Sequence, residues 1–379
     1  MKLNALAACL LFAGLAAVSC IKEEAPHSEA DIERCTLPGD VLNRDPVIEN
    51  DKVTLHLKKG TDLSSLSPEF TLTPGATISP ASGTTRDFTS PQTYEVTSED
   101  GRWKKQYRVE ATTSGLTTTV YRFENARMDS NGKYQIFYET DAAGAEILTW
   151  ASGNPGFALT GAGSGYADYP TYQSGIGYRN KCLALTTRRT GSFGARINMP
   201  IAAGNLFLGR FDVLNALKDP LTATRFGMPF DYVPTSLRGY YKYRSGVMFY
   251  ELDAAASDKL KPVPDRKDRF NIYAVFYEST DDMKTLDGTN ALSEENPNVL
   301  AVAQIAQDEA VETDEWTPFR IEFVFREGKS VDAAKLAEGR YSLAVVFTSS
   351  LYGDRFEGAP GSTLCVDEVT LEYKDEPEE

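Results

Sequence analysis

Short runs in which apolar and polar residues alternate recur along this chain, and patterns with a helical repeat are rare between them. Residues 53–57 (VTLHL) and 319–325 (FRIEFVF) alternate as half-buried strands do. A helical pattern is confined to residues 214–218 and 331–337. Because a parallel α/β sheet needs helices between its strands, the pattern predicts an all-β chain whose larger part is a jelly-roll sandwich.

The spacing of turns predicts two domains. In the first, at residues 34–113, strands at 94–97 and 106–109 flank Glu99-Asp100-Gly101, and Asp-Gly is a strong hairpin signal. Short, regularly spaced strands indicate a β-sandwich. This stretch resembles the Ig-like domains that serve as spacers in lipid-anchored surface proteins. A short polar segment joins it to the second domain, at residues 116–375.

The first residues predict export. The apolar run at residues 3–18 is too short to span a membrane and ends in small residues before Cys20, the pattern of a bacterial lipoprotein signal. We expect residues 1–19 to be the signal peptide and Cys20 to carry lipid, with residues 20–33 as a tether. An ordinary secretory signal is the alternative. Lys-Glu-Glu at 22–24 resembles the surface-export signal of Bacteroidetes lipoproteins, which implies the outer face of the outer membrane.

Charge and histidine content exclude several functions. The net charge of −15 argues against nucleic acid, which binds clustered Lys and Arg. The two histidines are His27 and His56, so residues 57–379 contain none. This excludes Ser-His-Asp and Cys-His catalysis, and metal sites with histidine ligands, from the larger domain. An enzyme there would need carboxylates, Tyr, Lys or an oxygen-ligated cation.

Several motifs in the larger domain occur in an order typical of one family. They are WASGN at 150–154, GMPF at 227–230, GYYKY at 239–243, VFTSS at 346–350, GDRF at 353–356, GAPGSTL at 358–364 and VDEV at 366–369. Together they resemble the PCMD family, the putative carbohydrate metabolism domain of Bacteroidetes surface lipoproteins, over roughly residues 116–373. The resemblance implies a jelly roll similar to carbohydrate-binding modules, and it implies no reaction.

Aromatic side chains are the candidates for ligand binding, because sugars stack their apolar faces on exposed rings while polar groups take the hydroxyls. Three clusters qualify, although rings in strands are commonly part of the core. The predicted ligand-binding residues are Trp150, Asn154, Tyr169, Tyr172, Arg238, Tyr241 and Tyr243.

A structural calcium ion is a further prediction. Jelly-roll binding modules often hold such an ion between their first and last strands, with oxygen ligands. Glu124, Asn125 and Asp367 occupy analogous places, and the alternative is that they are ordinary polar residues at strand ends. No cofactor is required.

The sequence therefore predicts a monomeric, non-catalytic lipoprotein of the cell surface that binds polysaccharide or another glycan. An adhesin or fimbria-associated subunit that binds protein is the first alternative, since exposed rings suit both ligands. A carbohydrate-active enzyme is the second, and it would need two carboxylates across a cleft. The acidic residues at 278–295 and 309–315 indicate solvated loops instead.

Overall fold

The computed structural model describes residues 28–374 except residues 40, 43–45, 50, 59, 114 and 117. The predicted signal peptide and the predicted lipidation site, Cys20, therefore lie outside the described residues. Strands dominate the described part, which confirms the all-β prediction. None of the helices found there has the length and apolarity needed to cross a membrane.

The N-terminal part of the described chain is a two-layer β-sandwich. Its strands are β1 (Ile32–Thr36), β2 (Val47–Glu49), β3 (Lys52–His56), β4 (Glu69–Leu72), β5 (Thr77–Ser79), β6 (Gln92–Thr97) and β7 (Lys104–Thr112). One layer has the order β2-β3-β7-β6-β5, with β3 and β7 parallel, and the other pairs β1 with β4. Ala30 and Ile32 are buried in the core. The domain thus begins earlier than residue 34, because apolar residues of the expected tether pack against the sheet.

The strands of the larger domain follow in chain order. They are β8 (Val120–Tyr121), β9 (Asn125–Met128), β10 (Gln135–Thr140), β11 (Glu146–Thr149), β12 (Thr171–Ser174), β13 (Cys182–Thr186), β14 (Arg188–Arg189), β15 (Ile201–Ala202), β16 (Asn205–Phe207), β17 (Gly209–Phe211), β18 (Thr224–Phe226), β19 (Met228–Pro229), β20 (Val233–Arg244), β21 (Phe249–Leu252), β22 (Leu260–Val263), β23 (Asn271–Glu278), β24 (Val299–Gln304), β25 (Thr313–Glu322), β26 (Val324–Phe325), β27 (Tyr341–Thr348) and β28 (Thr363–Lys374).

Two antiparallel sheets make the jelly-roll sandwich of this domain. The first sheet has the order β12-β13-β28-β20-β25 with β8 beside β28, and the second has the order β16-β27-β23-β24-β26 with β19 beside β27. Leu237 and Val366 of the first sheet share one fully buried cluster with Phe276 and Phe347 of the second. Burying each such side chain stabilises the fold by about 1.5–3 kcal/mol, so this shared core holds the two sheets together.

The second sheet is buried on its outer face as well. There Tyr273, Val275 and Val346 form a separate apolar cluster with Phe207 and Phe226. The cover consists of loops and three short helices, which are α1 (Asn154–Ala158), α2 (Gly191–Arg196) and α3 (Val213–Ala216). The second sheet is therefore the inner layer of the domain, while the first sheet keeps an open outer face.

Both helices expected from the sequence are present. The pattern at 214–218 corresponds to α3, and the pattern at 331–337 corresponds to α4 (Ala333–Ala337). Each helix begins after an aspartate whose carboxylate accepts backbone N–H bonds, namely Asp212 and Asp332. This is the ordinary N-cap role of aspartate. Turns of 3-10 helix occur at Tyr166–Asp168, Pro220–Thr222 and Gly353–Arg355.

A buried carboxylate ties the segment before β28 to the start of β23. Asp268 is 2% exposed, and its Oδ1 accepts hydrogen bonds from Ser350 Oγ at 2.7 Å and Arg269 N at 2.9 Å. Its Oδ2 accepts from Ala359 N and Ser362 Oγ, both at 2.8 Å. Burial raises the pKa of Asp268, and the four donors oppose that shift. One side chain thus satisfies four donors from three chain segments.

Replacing this carboxylate is expected to destabilise the larger domain strongly. In Asp268→Ala the four donors lose their acceptor, so the free energy of unfolding should fall by at least about 3 kcal/mol. Urea denaturation measures the change. The control is Asp265→Ala, an exposed position three residues earlier, which should change stability by less than about 0.5 kcal/mol. Equal effects of the two substitutions would contradict the anchoring role.

Candidate functional site

The outer face of the first sheet carries a set of aromatic and basic side chains. Along β20 the side chains alternate, so that Tyr241 and Tyr243 enter the core while Tyr240 and Lys242 lie on the outer face. This follows from the period of two residues in a strand. The exposed Arg238 and Arg244 belong to the same outward series.

Three rings meet on this face. Tyr178 stacks on Tyr240 with ring centroids 3.8 Å apart and planes 10° apart. Trp316 of β25 meets Tyr178 edge-on at 6.3 Å, and the Lys242 ammonium lies 5.1 Å from the centre of the Trp316 ring. Tyr178 remains 42% exposed despite its stacking, so one of its sides is open to solvent. We call Tyr178, Tyr240 and Trp316 the aromatic platform.

The loop at residues 175–181 places Tyr178 on the sheet. Gly177 N donates to Asn180 O at 2.9 Å, which closes the loop. A Cβ atom on Gly177 would lie 2.6 Å from the carbonyl oxygens of Arg179 and Lys181, so the tight path requires glycine. The position of Tyr178 is thus determined by the backbone of a short loop.

Two carboxylates hold this loop from the sheet side. Asp367 of β28 is fully buried, and its Oδ2 accepts a hydrogen bond from Arg179 N at 2.9 Å. Its Oδ1 accepts from Glu368 N at 2.8 Å. Glu124 accepts from Asn180 Nδ2 at 3.3 Å. Burial raises the pKa of Asp367 to about 6, while the backbone donors act in the opposite direction.

Five of the predicted ligand-binding residues lie in the interior. Each is at most 3% exposed: Trp150, Asn154, Tyr169, Tyr241 and Tyr243. The four rings pack against other aromatic rings, for example Trp150 on Tyr121 at 5.0 Å and Tyr241 on Phe270 at 4.8 Å. The Asn154 amide bonds both backbone groups of Thr171, at 2.7 and 3.1 Å. These residues stabilise the core, and the prediction that they contact ligand is corrected accordingly.

The other two predicted ligand-binding residues, Tyr172 and Arg238, share the outer face with the platform. Tyr172 is half-buried, and strand register places it in one row with Ala184, Cys365 and Lys242. Arg238 is exposed and pairs with Glu372 at 2.8 Å. Both residues remain candidates for ligand contact.

The three residues predicted to bind calcium have different structural roles. Glu124 and Asp367 both hold the loop at 175–181, whereas Asn125 belongs to β9 and is paired with Tyr138 of β10. Within the described residues no group of three or more His, Cys, Asp and Glu is arranged to hold a metal ion. The calcium site stays a prediction.

Glu139, another carboxylate with a raised pKa, lies away from the platform. Burial raises the pKa of Glu139 to about 7, although its oxygens accept long hydrogen bonds from Phe123 N and Arg122 N, at 3.4 and 3.5 Å, which oppose the shift. The side chain is in the interior, with 6% of its surface exposed. The platform itself consists of rings on which a ligand can stack, with hydrogen-bond donors beside them, and such groups bind ligands.

Two of the three platform residues have a signal in the sequence, namely odd or even position relative to the charged residues of the same strand. Tyr240 has the same parity as the charged Arg238 and Arg244, and Trp316 has the same parity as Arg320 and Glu322 in its own strand. Charged residues mark the solvent face of a half-buried strand, so the rings of equal parity lie outside. Tyr178 lacks such a signal because it lies in a loop.

Comparisons with known proteins agree with this architecture. The family model described as "Putative carbohydrate metabolism domain" (PCMD) matches residues 122–372, and the model described as "SGBP, N-terminal" matches residues 43–111. No curated protein matches the chain.

The crystal structures that are similar to the chain include two from Bacteroides species. A putative glycoside hydrolase from Bacteroides thetaiotaomicron VPI-5482 is 50% identical and covers 94% of this chain and 100% of its own, with a TM-score of 0.83. A putative glycoside hydrolase from Bacteroides vulgatus ATCC 8482 is 45% identical and covers 69% of this chain and 100% of its own, with a TM-score of 0.63. Because the PCMD model spans residues 122–372 of a chain of 379, this protein belongs to the putative carbohydrate metabolism domain (PCMD) family.

Proposed function

We propose that this protein binds glycan on the aromatic platform and does not hydrolyse it. The observation that carries the proposal is the open side of Tyr178, a ring whose other side is held by a face-to-face contact with Tyr240. Trp316 stands next to this pair and extends the aromatic surface along β25. A ring held by stacking loses little further freedom when a ligand binds, which favours affinity.

The polar surroundings of the platform suit a sugar chain. The C–H faces of a pyranose pack on aromatic rings, and its hydroxyls need donors and acceptors at the edge. Lys242 brings three N–H donors next to Trp316, and the Arg238 guanidinium lies on the same face. Tyr172 adds a hydroxyl farther along the sheet. These groups can donate hydrogen bonds to the hydroxyls of a sugar chain that lies on the rings.

The comparisons support a carbohydrate ligand and a place on the cell surface. The family name refers to carbohydrate metabolism, and the N-terminal match is to a domain of SGBP, a surface glycan-binding protein.

We further propose that lipid on Cys20 anchors the protein to the outer membrane and that the N-terminal sandwich acts as a spacer. The relatives described as glycoside hydrolases make hydrolysis an outcome that the experiment must record.

A glycan array probed with residues 21–379, which lack Cys20, tests the proposal. Selective binding is expected, and Tyr178→Ala and Trp316→Ala should each weaken it at least about 10-fold, or about 1.4 kcal/mol, because each removes a stacking surface. The array should be run with and without calcium, so that it also tests the predicted ion.

Trp103→Ala provides the matched control. Trp103 is 63% exposed but lies in the N-terminal sandwich, so its removal should leave glycan affinity unchanged. An array without any bound glycan would refute the proposal, and so would equal losses in the control and platform variants. Release of free sugar from a bound glycan would show that the protein hydrolyses its ligand, which would contradict the proposed non-catalytic role.

The contribution of Asp367, which anchors the Tyr178 loop, to the free energy of unfolding should depend on pH. Because the Asp367 pKa is raised to about 6, the folded state binds a proton between pH 4 and 6 that the unfolded state has released. The free energy of unfolding should therefore fall as the pH rises through this window, by at most about 1.4 kcal/mol per pH unit from this group. Asp367→Asn removes the titration and should flatten the profile.

Urea denaturation at pH 4, 5 and 6 measures these slopes. Glu139, whose pKa is about 7, titrates in both proteins and so contributes equally to the two profiles. Parallel profiles for the two proteins would show that Asp367 does not carry the effect.

A further inference from the structure

A cavity of about 330 Å³ opens on the outer side of the second sheet, away from the aromatic platform. Its floor includes Asn271 and Tyr273 of β23 and Val346 and Thr348 of β27. Helices α1, α2 and α3 contribute to its walls together with the loops that join them. The cavity is thus a gap in the cover of the inner sheet, and its volume is in the range of small-molecule sites.

The walls are aromatic, and the lining lacks positive charge. Six phenylalanines line the cavity: Phe157, Phe193, Phe207, Phe211, Phe226 and Phe356. Among the described residues that line it there is no lysine, arginine or histidine, and the one acid is the exposed Asp354. An anionic ligand would be buried without a partner and close to this carboxylate, which is unfavourable. The lining therefore selects for a neutral aromatic ligand.

Two polar side chains on the floor have a hydrogen-bond donor without a partner among the described residues. Tyr273 is 8% exposed, and its hydroxyl makes no hydrogen bond with any described residue. Asn271 is 3% exposed; its Oδ1 accepts one long bond from Gln304 Nε2 at 3.4 Å, and its Nδ2 has no partner in the described chain. Both side chains line the cavity, so these donors face its interior and are available to a ligand. A ligand oxygen in the cavity can accept a hydrogen bond there.

The period and register of the sheet determine which side chains lie on the cavity floor. Asn271 and Tyr273 are two residues apart on one strand, so both point to the same face, and their register partners on β27 are Thr348 and Val346. Burial raises the pKa of Tyr273, and the nearby Asp354 adds to the shift, so the hydroxyl stays protonated and can donate. The opening carries exposed apolar side chains, Leu217 and Leu292.

We propose that this cavity binds a small neutral aromatic molecule that carries one hydroxyl or carbonyl oxygen. The ring lies among the phenylalanines, and the oxygen accepts hydrogen bonds from Tyr273 Oη and Asn271 Nδ2. This site is separate from the platform and does not depend on the proposed glycan binding. An aromatic group attached to a glycan, or a free phenolic compound, would have the required chemistry.

Three related probes test the proposal on the purified protein by isothermal titration calorimetry. The first is 2-naphthol, which carries a neutral hydroxyl. The second is naphthalene, which has no polar group, and the third is 2-naphthoate, which is an anion. We expect 2-naphthol to bind with 1:1 stoichiometry, naphthalene to bind at least 5-fold more weakly, and 2-naphthoate not to bind.

Tyr273→Phe should lower the affinity for 2-naphthol at least 5-fold and leave that for naphthalene unchanged, because only the hydrogen bond is lost. Tyr373→Phe is the matched control, since Tyr373 is 41% exposed and lies outside the cavity lining. Leu292→Trp, a change at the exposed opening, should reduce the binding of both neutral probes and does not depend on the stability of the floor variant. Trp316→Ala should alter neither.

The proposal is overturned if 2-naphthol does not bind, or if 2-naphthoate binds as well as 2-naphthol. It is also overturned if Tyr273→Phe leaves the affinity for 2-naphthol unchanged, or if Leu292→Trp has no effect on either neutral probe.

Discussion

Burial of both faces of the second sheet is the constraint on which the rest of the larger domain depends. Residues 271–277 of β23 are all buried, one set in the main core and the other under the helical cover. A strand of this kind has no polar face to offer to solvent. The first sheet therefore supplies the open sheet face, and the cover over the second sheet determines where a cavity forms.

The two sites follow from this layering in different ways. The platform forms where a single short loop, held by Asp367 and Glu124, lays Tyr178 on the open face of the first sheet. The cavity forms where three short helices and their loops fail to fill the space above Tyr273. An open surface suits a long ligand, and a concave apolar cavity suits a small one. The two surfaces of this sandwich therefore differ in shape and suit ligands of different size.

The strand β20 shows how far the sequence alone can identify the residues of the platform. Its four residues Tyr240-Tyr241-Lys242-Tyr243 contain a ring on each face, and a list of aromatic residues does not distinguish the faces. Parity relative to the charged residues does distinguish them. Trp150 and Tyr169 are different, because their burial depends on Tyr121 and Phe157, which are distant in sequence.

The sequence by itself determined the all-β class, the two helices α3 and α4, and the absence of histidine chemistry from residues 57–379, because these depend on local periodicity and composition. The family also follows from motifs that are read in order along the chain. Only the tertiary structure decided which rings are exposed, which carboxylates hold the Tyr178 loop, and where the cavity lies. The physical reason is that burial and hydrogen bonding join residues such as Arg179 and Asp367, which sequence order keeps 188 positions apart.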